Sequence, residues 1–258
     1  MGLLEGIFDE EQIGKILKKK DRNMQRIKYT NIIAFAERLL IEADRGRRHP
    51  IYAYIRSLTD YIMIGHVNDS IGIGEIGHCY TSFTYFMERM RRENLVDSIP
   101  VLEAKTSVDL SVDPVLVFPW ETSRLVEAMK NYGTENIPWV EQGEHYTALW
   151  LPIGVLEIAE NGNHSIFTGA AKREGTIHID TVGIDTTKEF PKHYVYSFEG
   201  LYEHVYFEGI DFRRKDGDRR IGFPQEFKYL FEFGCLFEIG RLMKMHNISF
   251  LDIEKSEA

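Results

Sequence analysis

Apolar residues recur at helical spacing through the first third of the chain and in short strand-like runs through its middle. Ile32, Ile33, Ala36, Leu39, Leu40 and Ala43 form one apolar face, and Gly46 is placed to end that helix. Pro50 suits the first turn of a second helix, whose stripe is Ile51, Tyr54, Ile55, Leu58, Tyr61 and Ile62. A third is predicted from Ile76 to Asn94, with Tyr80, Phe83, Met87 and Met90 on one side as core residues. Between the last two, Gly72-Ile73-Gly74-Glu75-Ile76-Gly77 has the form G-x-G-x-x-G. A dinucleotide site needs a buried strand before that motif, and Ile51 to His66 is patterned as a helix, so these glycines read as a tight interhelical loop. His66 and His78 have no third ligand at metal-site spacing and read as structural.

From Val101 to Asp185 the pattern turns strand-rich. Val115-Leu116-Val117-Phe118-Pro119 is strand-like, Glu121 to Asn131 suits a helix, and Gly133 stands where a C-cap glycine would. Ile137-Pro138-Trp139-Val140 begins another extended run, and Gln142-Gly143 supplies a hairpin turn. Ala148-Leu149-Trp150-Leu151 is continuously apolar and predicts a strand covered on both faces, whereas Val155 to Ile158 and Ile177 to Ile179 alternate in part. Phe190 to Phe212 is dense in aromatics, including Tyr194, Tyr196, Phe198, Tyr202, Tyr206 and Phe207. These read as buried strands of a mixed domain, with a base-stacking surface as the alternative. A long helix is expected from about Pro224, burying Phe227, Leu230, Phe231, Cys235, Leu236, Ile239, Leu242 and Met243, with Gly234 and Gly240 marking close approach of another backbone. The fold class is α+β: a helical region over 1–100, then a mixed-sheet core over 101–258 carrying a long C-terminal helix. With no linker or repeat between them, the helical third and the last helix are expected to pack as one body on the sheet.

A chain of 258 residues with 43% hydrophobic and 28% charged positions has ample core for one large domain or two small ones. No apolar run approaches the roughly 18 residues of a membrane span, and the acidic N-terminus lacks a signal-peptide pattern, so the expected location is cytoplasmic, without a membrane partner. Cys79 and Cys235 are far apart in apolar sequence and read as buried free thiols. The net charge of −9 disfavours a nucleic-acid-embracing surface. The basic clusters at 18–20, 45–48 and 89–92 read as solvated faces or helix ends; only Arg213 to Arg220, with its Asp216-Gly217 turn, reads as a protruding basic hairpin that keeps a DNA-binding reading open.

The chemically richest stretch is Glu160-Asn161-Gly162-Asn163-His164-Ser165, continuing to Thr168 and Gly169. A Gly-containing polar turn between a strand and a helix gathers backbone N–H groups and a helix N-terminus at one point, a geometry that holds a phosphate or carboxylate. Asn-Gly also makes plain hairpin turns, and both readings stay open from local chemistry. Asn161, Asn163 and Ser165 fit either, since such side chains also cap helices.

The order strand, helix ending in Gly, Pro-containing strand, hairpin, Gly-x-His turn, helix, strand resembles the ParB/sulfiredoxin-like superfamily over about Ser107 to Asp185, with Asn161-Gly162-Asn163-His164-Ser165 in place of its nucleotide-site box. It is also similar to a bacterial family with an N-H-S-I core and no assigned activity. The resemblance implies a bacterial or phage protein with a nucleotide site. Two departures matter. The superfamily's phosphate-binding box arginine is Ser165 here, so Lys172, Arg173 or Arg124 must supply the cation. The catalytic Cys that sulfiredoxins place before the His is Asn163, which argues against sulfinic-acid reduction.

The expected function is therefore binding of a nucleotide or similar phosphorylated ligand at the Asn161–Ser165 turn. His164 and Glu160 are the candidate catalytic groups if hydrolysis or phosphotransfer follows, with Glu174 and Asp180 as neighbouring carboxylates. Asn161, Gly162, Asn163, Ser165, Thr168, Lys172, Arg173 and Arg124 are the candidate ligand contacts, and magnesium would arrive with a nucleotide. There is no Walker A sequence, Cys-x-x-Cys pair or G-x-S-x-G elbow. The rival reading is a non-enzymatic protein-interaction module of a defence or counter-defence system, in which the turn only shapes the core.

Overall fold

The computed structural model describes residues 10–42, 49–73, 83–95, 102–133, 137–141, 147–151, 153–159, 161–181, 193–195, 199–223 and 227–249. Seven helices and nine strands among them make an α+β protein. In chain order they are α1 (Glu10–Glu42), α2 (Ile51–Ile73), α3 (Phe83–Arg92), β1 (Lys105–Asp109), β2 (Val115–Leu116), α4 (Thr122–Asn131), β3 (Ala148–Leu151) and β4 (Val155–Ile158). There follow α5 (Asn163–Lys172), β5 (Thr176–Asp180), β6 (His193–Val195), α6 (Glu199–His204), β7 (Val205–Phe207), β8 (Phe212–Arg214), β9 (Arg220–Ile221) and α7 (Leu230–Met245).

The strands form three small sheets. The central one has the order β2-β4-β3-β6, with β3 and β4 antiparallel and the two outer strands parallel to their neighbours. Every residue of β3 is buried, as its unbroken apolar run requires. β4 is also wholly buried, so the alternation expected from its sequence does not hold. The polar residue that suggested alternation, Glu157, faces inward, and its Oε2 accepts the Phe83 N–H at the start of α3 at 2.9 Å. A helix N-terminus presents unsatisfied donors, and a buried carboxylate there is both hydrogen-bonded and favoured by the helix dipole. β1 and β5 form a separate antiparallel ribbon with matching alternation, Val108 and Ile177 inward and the Lys105–Asp180 ion pair outward. β7, β8 and β9 form a meander whose last turn is the expected basic hairpin, with Gly217 at a positive φ of 112°.

The C-terminal helix is where its apolar stripe places it, packed against α1, α2 and β7. It begins at Leu230, later than expected: Tyr229 has a left-handed φ of 59°, which breaks any helical path from upstream. The third helix likewise begins, among the described residues, at Phe83; the expected start at Ile76, together with Gly74 to Tyr80, lies outside them. Gly72 is still inside α2. The first two residues of the expected loop, Gly72 and Ile73, are thus helical, and the rest of the motif lies outside the described residues, as do Gly46, Cys79 and Gln142-Gly143. Of the Val115–Pro119 run only Val115 and Leu116 pair as a strand. The aromatic stretch is interrupted by α6; Tyr202, Phe207 and Phe212 are core residues, but Tyr206, expected in a buried strand, faces outward on β7 and its hydroxyl donates to Asp218 at the surface. Phe83, Phe86, Phe207, Phe212, Phe233 and Phe237 join in one aromatic cluster under α7. The partner that approaches Gly234 and Gly240 is side chain rather than backbone: the Phe207 ring lies 2.5 Å from where a Cβ on Gly234 would sit.

The helical third is tied to the sheet region by a buried cation. Arg56 of α2 donates to the carbonyl oxygens of Leu110 at 3.2 Å and Ala170 at 3.3 Å, and also to that of Asp113. Asp60, one helical turn on, pairs with it at 2.8 Å. Replacing Arg56→Met leaves the buried Leu110 and Asp113 carbonyls without that donor and Asp60 with Arg173 alone. It is expected to cost about 3–5 kcal/mol in urea unfolding, the scale for breaking a buried pair from one side. Gly234→Ala should cost about 1–3 kcal/mol by overpacking the Phe207 ring, whereas Gly200→Ala, with open space at its Cβ, should leave the melting temperature unchanged or higher.

Candidate functional site

The Asn161-Gly162 turn leads into a helix rather than a hairpin. Gly162, at φ 82°, is the left-handed N-cap, and α5 starts at Asn163. A residue with a Cβ would be strained there, which is why glycine occupies the position. α4 and α5 lie side by side and run the same way: the Glu121 N–H meets the His164 ring at one end, and Lys172 meets the Met129 and Tyr132 carbonyls at the other. The two N-termini are therefore neighbours, and their partial positive charges fall at one place. Between the helices is an open groove of about 260 Å³ lined by Arg124, Glu127, Asn131, Tyr132, Gly162, His164 and Ser165.

His164 is half-buried, and its Nε2 accepts the Glu121 N–H at 3.1 Å. Burial first, then the nearby Arg124 guanidinium, push its pKa below the ordinary imidazole value. The ring is thus neutral at pH 7, and an Nε2 that accepts leaves the proton on Nδ1. The Trp120 ring packs edge-on against it at 5.4 Å, and the Arg124 guanidinium lies over that indole at 4.8 Å while pairing with Glu121 at 2.9 Å.

The other expected site residues divide sharply. Arg124, Gly162, His164 and Ser165 come together at the groove. Asn163 is buried, and its Oδ1 accepts the Phe118 N–H at 3.1 Å, so it locks the turn to the segment after β2. The Ser165 hydroxyl donates to the Gly162 carbonyl at 3.1 Å, and Thr168, fully buried, donates to the His164 carbonyl at 2.8 Å. Lys172 is spent on the last carbonyls of α4, at 2.7 Å from that of Met129. Arg173 turns away to Asp60 at 3.0 Å. Asn161 is exposed in the turn, and Glu160 lies outside the described residues. Of the neighbouring carboxylates, Glu174 accepts the Trp139 N–H at 2.6 Å and Asp180 pairs with Lys105. Of the cations expected to replace the missing box arginine, only Arg124 is at the groove.

Trp139 is the organiser that the sequence did not single out. Its Nε1 donates to the Ser165 carbonyl at 2.9 Å, and its ring covers Gly175 and approaches Gly169. Gly175, at φ 107°, leaves no room for a Cβ beneath that ring. The bracketing glycines of the segment were the signal that something large would lie flat on it.

Elsewhere the chemistry is structural. His66 Nε2 lies 2.9 Å from the Pro119 carbonyl, and Cys235 is a buried thiol whose pKa burial pushes up to about 12. The four arginines of the basic hairpin all face acids: Arg213 with Glu208, Arg214 with Asp216, Arg219 with Glu93 and Arg220 with Asp211. Among the described residues no three His, Cys, Asp or Glu side chains converge as a metal site, and no helix is long and apolar enough to cross a membrane.

Compared with known proteins, the chain matches over residues 14–250 the model of a family described as a family of unknown function (DUF6710). No curated protein and no solved structure matches it.

The pH dependence of stability follows from His164. Its folded pKa is below the unfolded value near 6.5, so the stability it contributes is complete above that value and is lost as pH falls through the folded pKa. His66, pushed down by burial, acts in the same direction. The melting temperature should therefore fall on acidification below about pH 6.5, and His164→Gln, which keeps an acceptor without a titrating proton, should flatten that fall. Asn163→Ala should lower stability by about 1 kcal/mol at every pH, because it removes the acceptor of the part-buried Phe118 N–H.

Proposed function

The chain belongs to a family of unknown function (DUF6710), and from its own site we propose that it binds a small phosphorylated molecule in the groove between α4 and α5. The observation that carries this reading is the convergence of three anion-favouring features at one opening: two neighbouring helix N-termini, the Arg124 guanidinium and the His164 ring. Backbone N–H groups of the first turn of α5 and the Nδ1–H of His164 would donate to phosphate oxygens, and Arg124 would supply the charge that Ser165 lacks.

Size limits the ligand. About 260 Å³ is at or below the small end of the roughly 300–1,000 Å³ typical of ligand sites, enough for a phosphate and a sugar. The base of a nucleotide would project past Tyr132 or Trp120 into solvent, and magnesium would come with its phosphates. The chemistry favours binding over hydrolysis. Glu174 and Asp180 are committed elsewhere, and the neutral His164 already accepts a backbone proton at Nε2. Glu121 holds Arg124 in the absence of ligand, so a phosphate would compete with that carboxylate.

Thermal-shift titration with ribose 5-phosphate, AMP, ATP and CTP, each with and without magnesium, should show stabilisation by at least one. Arg124→Ala and His164→Ala should each weaken that ligand by roughly ten- to a hundredfold, the loss of one charge-assisted hydrogen bond of about 1.5–3 kcal/mol. Glu121→Gln should tighten it by freeing the guanidinium. Absence of any shift across the panel, or a shift indifferent to Arg124, would remove the reading.

A further inference from the structure

A second groove, of about 280 Å³, lies where α1, α2 and α7 pack on one another, and it shares no lining residue with the one between α4 and α5. Its lining is mostly apolar, with Ile32 from α1, Leu58 from α2 and the wholly buried Cys235 from α7. The Tyr61 and Phe231 rings join them, and the lining carries two charges, Glu232 in the first turn of α7 and Lys28 of α1. The Lys28 ammonium lies 4.9 Å from the centre of the Phe231 ring and 5.8 Å from that of Tyr61. Both distances fall within the roughly 6 Å over which an aromatic face attracts a cation.

The two charges are unequally placed. The Glu232 side chain is 13% exposed and that of Lys28 is 56% exposed, and 3.9 Å separates them, too long for a hydrogen bond. Burial holds the Glu232 carboxyl above the ordinary carboxylate range, and neither its own backbone N–H nor Lys28 offsets that. A carboxylate that served only the N-terminus of α7 would do so equally well facing water. This one lines an apolar groove, where a charge is costly unless it is both paired and hydrogen-bonded. Lys28 meets the first condition at a distance and leaves the second unmet. The groove's volume, moreover, is the space that remains with Lys28 in place.

We propose that this groove binds a small organic amine, an ammonium on an apolar body, which takes over from Lys28 at Glu232. The ligand's ammonium hydrogen-bonds the carboxylate directly and lies against the two rings, and its body fills the apolar space. Lys28, already more than half exposed, moves into water with little to lose. An organic acid is the poorer fit: pairing with Lys28, it sets a second carboxylate beside Glu232 and removes that residue's counter-charge. A neutral apolar molecule leaves Glu232 without a hydrogen bond. The volume is near the lower end of ligand sites, which limits the body to about one ring or a short alkyl chain. The chain's net charge of −9 favours the approach of a cation. Nothing in this site depends on phosphate binding at the other groove.

Calorimetric titration of the full chain with phenethylamine, phenethyl alcohol and phenylacetate tests the proposal, since the three share one body and differ in charge. Phenethylamine should bind more tightly than either of the others by roughly tenfold or more, the worth of one charge-assisted hydrogen bond. Glu232→Gln should erase that preference, Tyr61→Ala should weaken the amine severalfold, and Lys28→Gln should tighten it by removing the resident cation. Lys28 and Tyr61 are both more than half exposed, so those two variants decide the matter even if Glu232→Gln fails to fold. No binding at millimolar amine, equal binding of amine and alcohol, or an amine preference that survives Glu232→Gln would overturn the proposal. So would an affinity indifferent to both Lys28→Gln and Tyr61→Ala, which places the amine elsewhere on the surface. Tighter binding of phenylacetate, lost on Lys28→Gln, would make Lys28 the ligand's partner and overturn it equally.

Discussion

Arg56 holds the structure together. Its guanidinium is buried where α2, the turn between β1 and β2, and the C-terminal end of α5 meet, and it donates to a carbonyl on two of those elements. A buried cation is costly to desolvate and is retained only where its donors are well used. Asp60 supplies the counter-charge and reaches on to Arg173 at the end of α5. The turn it grips is itself closed by Asp113, whose Oδ2 accepts the Asp109 N–H at 2.6 Å. The helical third, the β1–β5 ribbon and α5 thus share one polar node, and the position of α5 relative to everything else depends on it.

From that node α5 is fixed along its whole length. Arg56 and Arg173 hold its C-terminal end, Lys172 ties its last turn to α4, Trp139 reaches its Ser165 carbonyl, and Asn163 locks its first residue to Phe118. So many non-local bonds on a ten-residue helix leave its N-terminus little freedom to rearrange. Rigid placement is what an anion site made of backbone N–H groups needs, because such donors act only if they already point at the ligand. The same bonds explain why Lys172 and Arg173 are absent from the groove: they act as struts.

What could be read from the sequence was local. Helical stripes gave α1 and α2, the unbroken apolar run gave a fully covered β3, and Gly162 before Asn163-His164-Ser165 marked a turn, of whose two readings the helix N-terminus is the one observed. What could not be read depended on partners far along the chain. Glu157 looks like an outward-facing strand residue until Phe83, 74 positions away, presents an N–H to it. Lys172 has the chemistry of a phosphate ligand, and only its reach to Met129, 43 positions earlier, assigns it to a helix terminus. Tyr229 ends the upstream path into α7 by a backbone conformation that its side-chain type does not announce. His164 was legible as a polar group at a turn, but its neutrality follows from burial and Arg124, which no spacing rule contains.

The charge distribution separates two questions that net charge would merge. A chain carrying a net −9 repels anions at long range, yet that field is screened over about 8 Å at physiological ionic strength. Inside the α4–α5 groove the nearest charges decide: two helix N-termini and Arg124 on one side, Glu121 and Glu127 on the other.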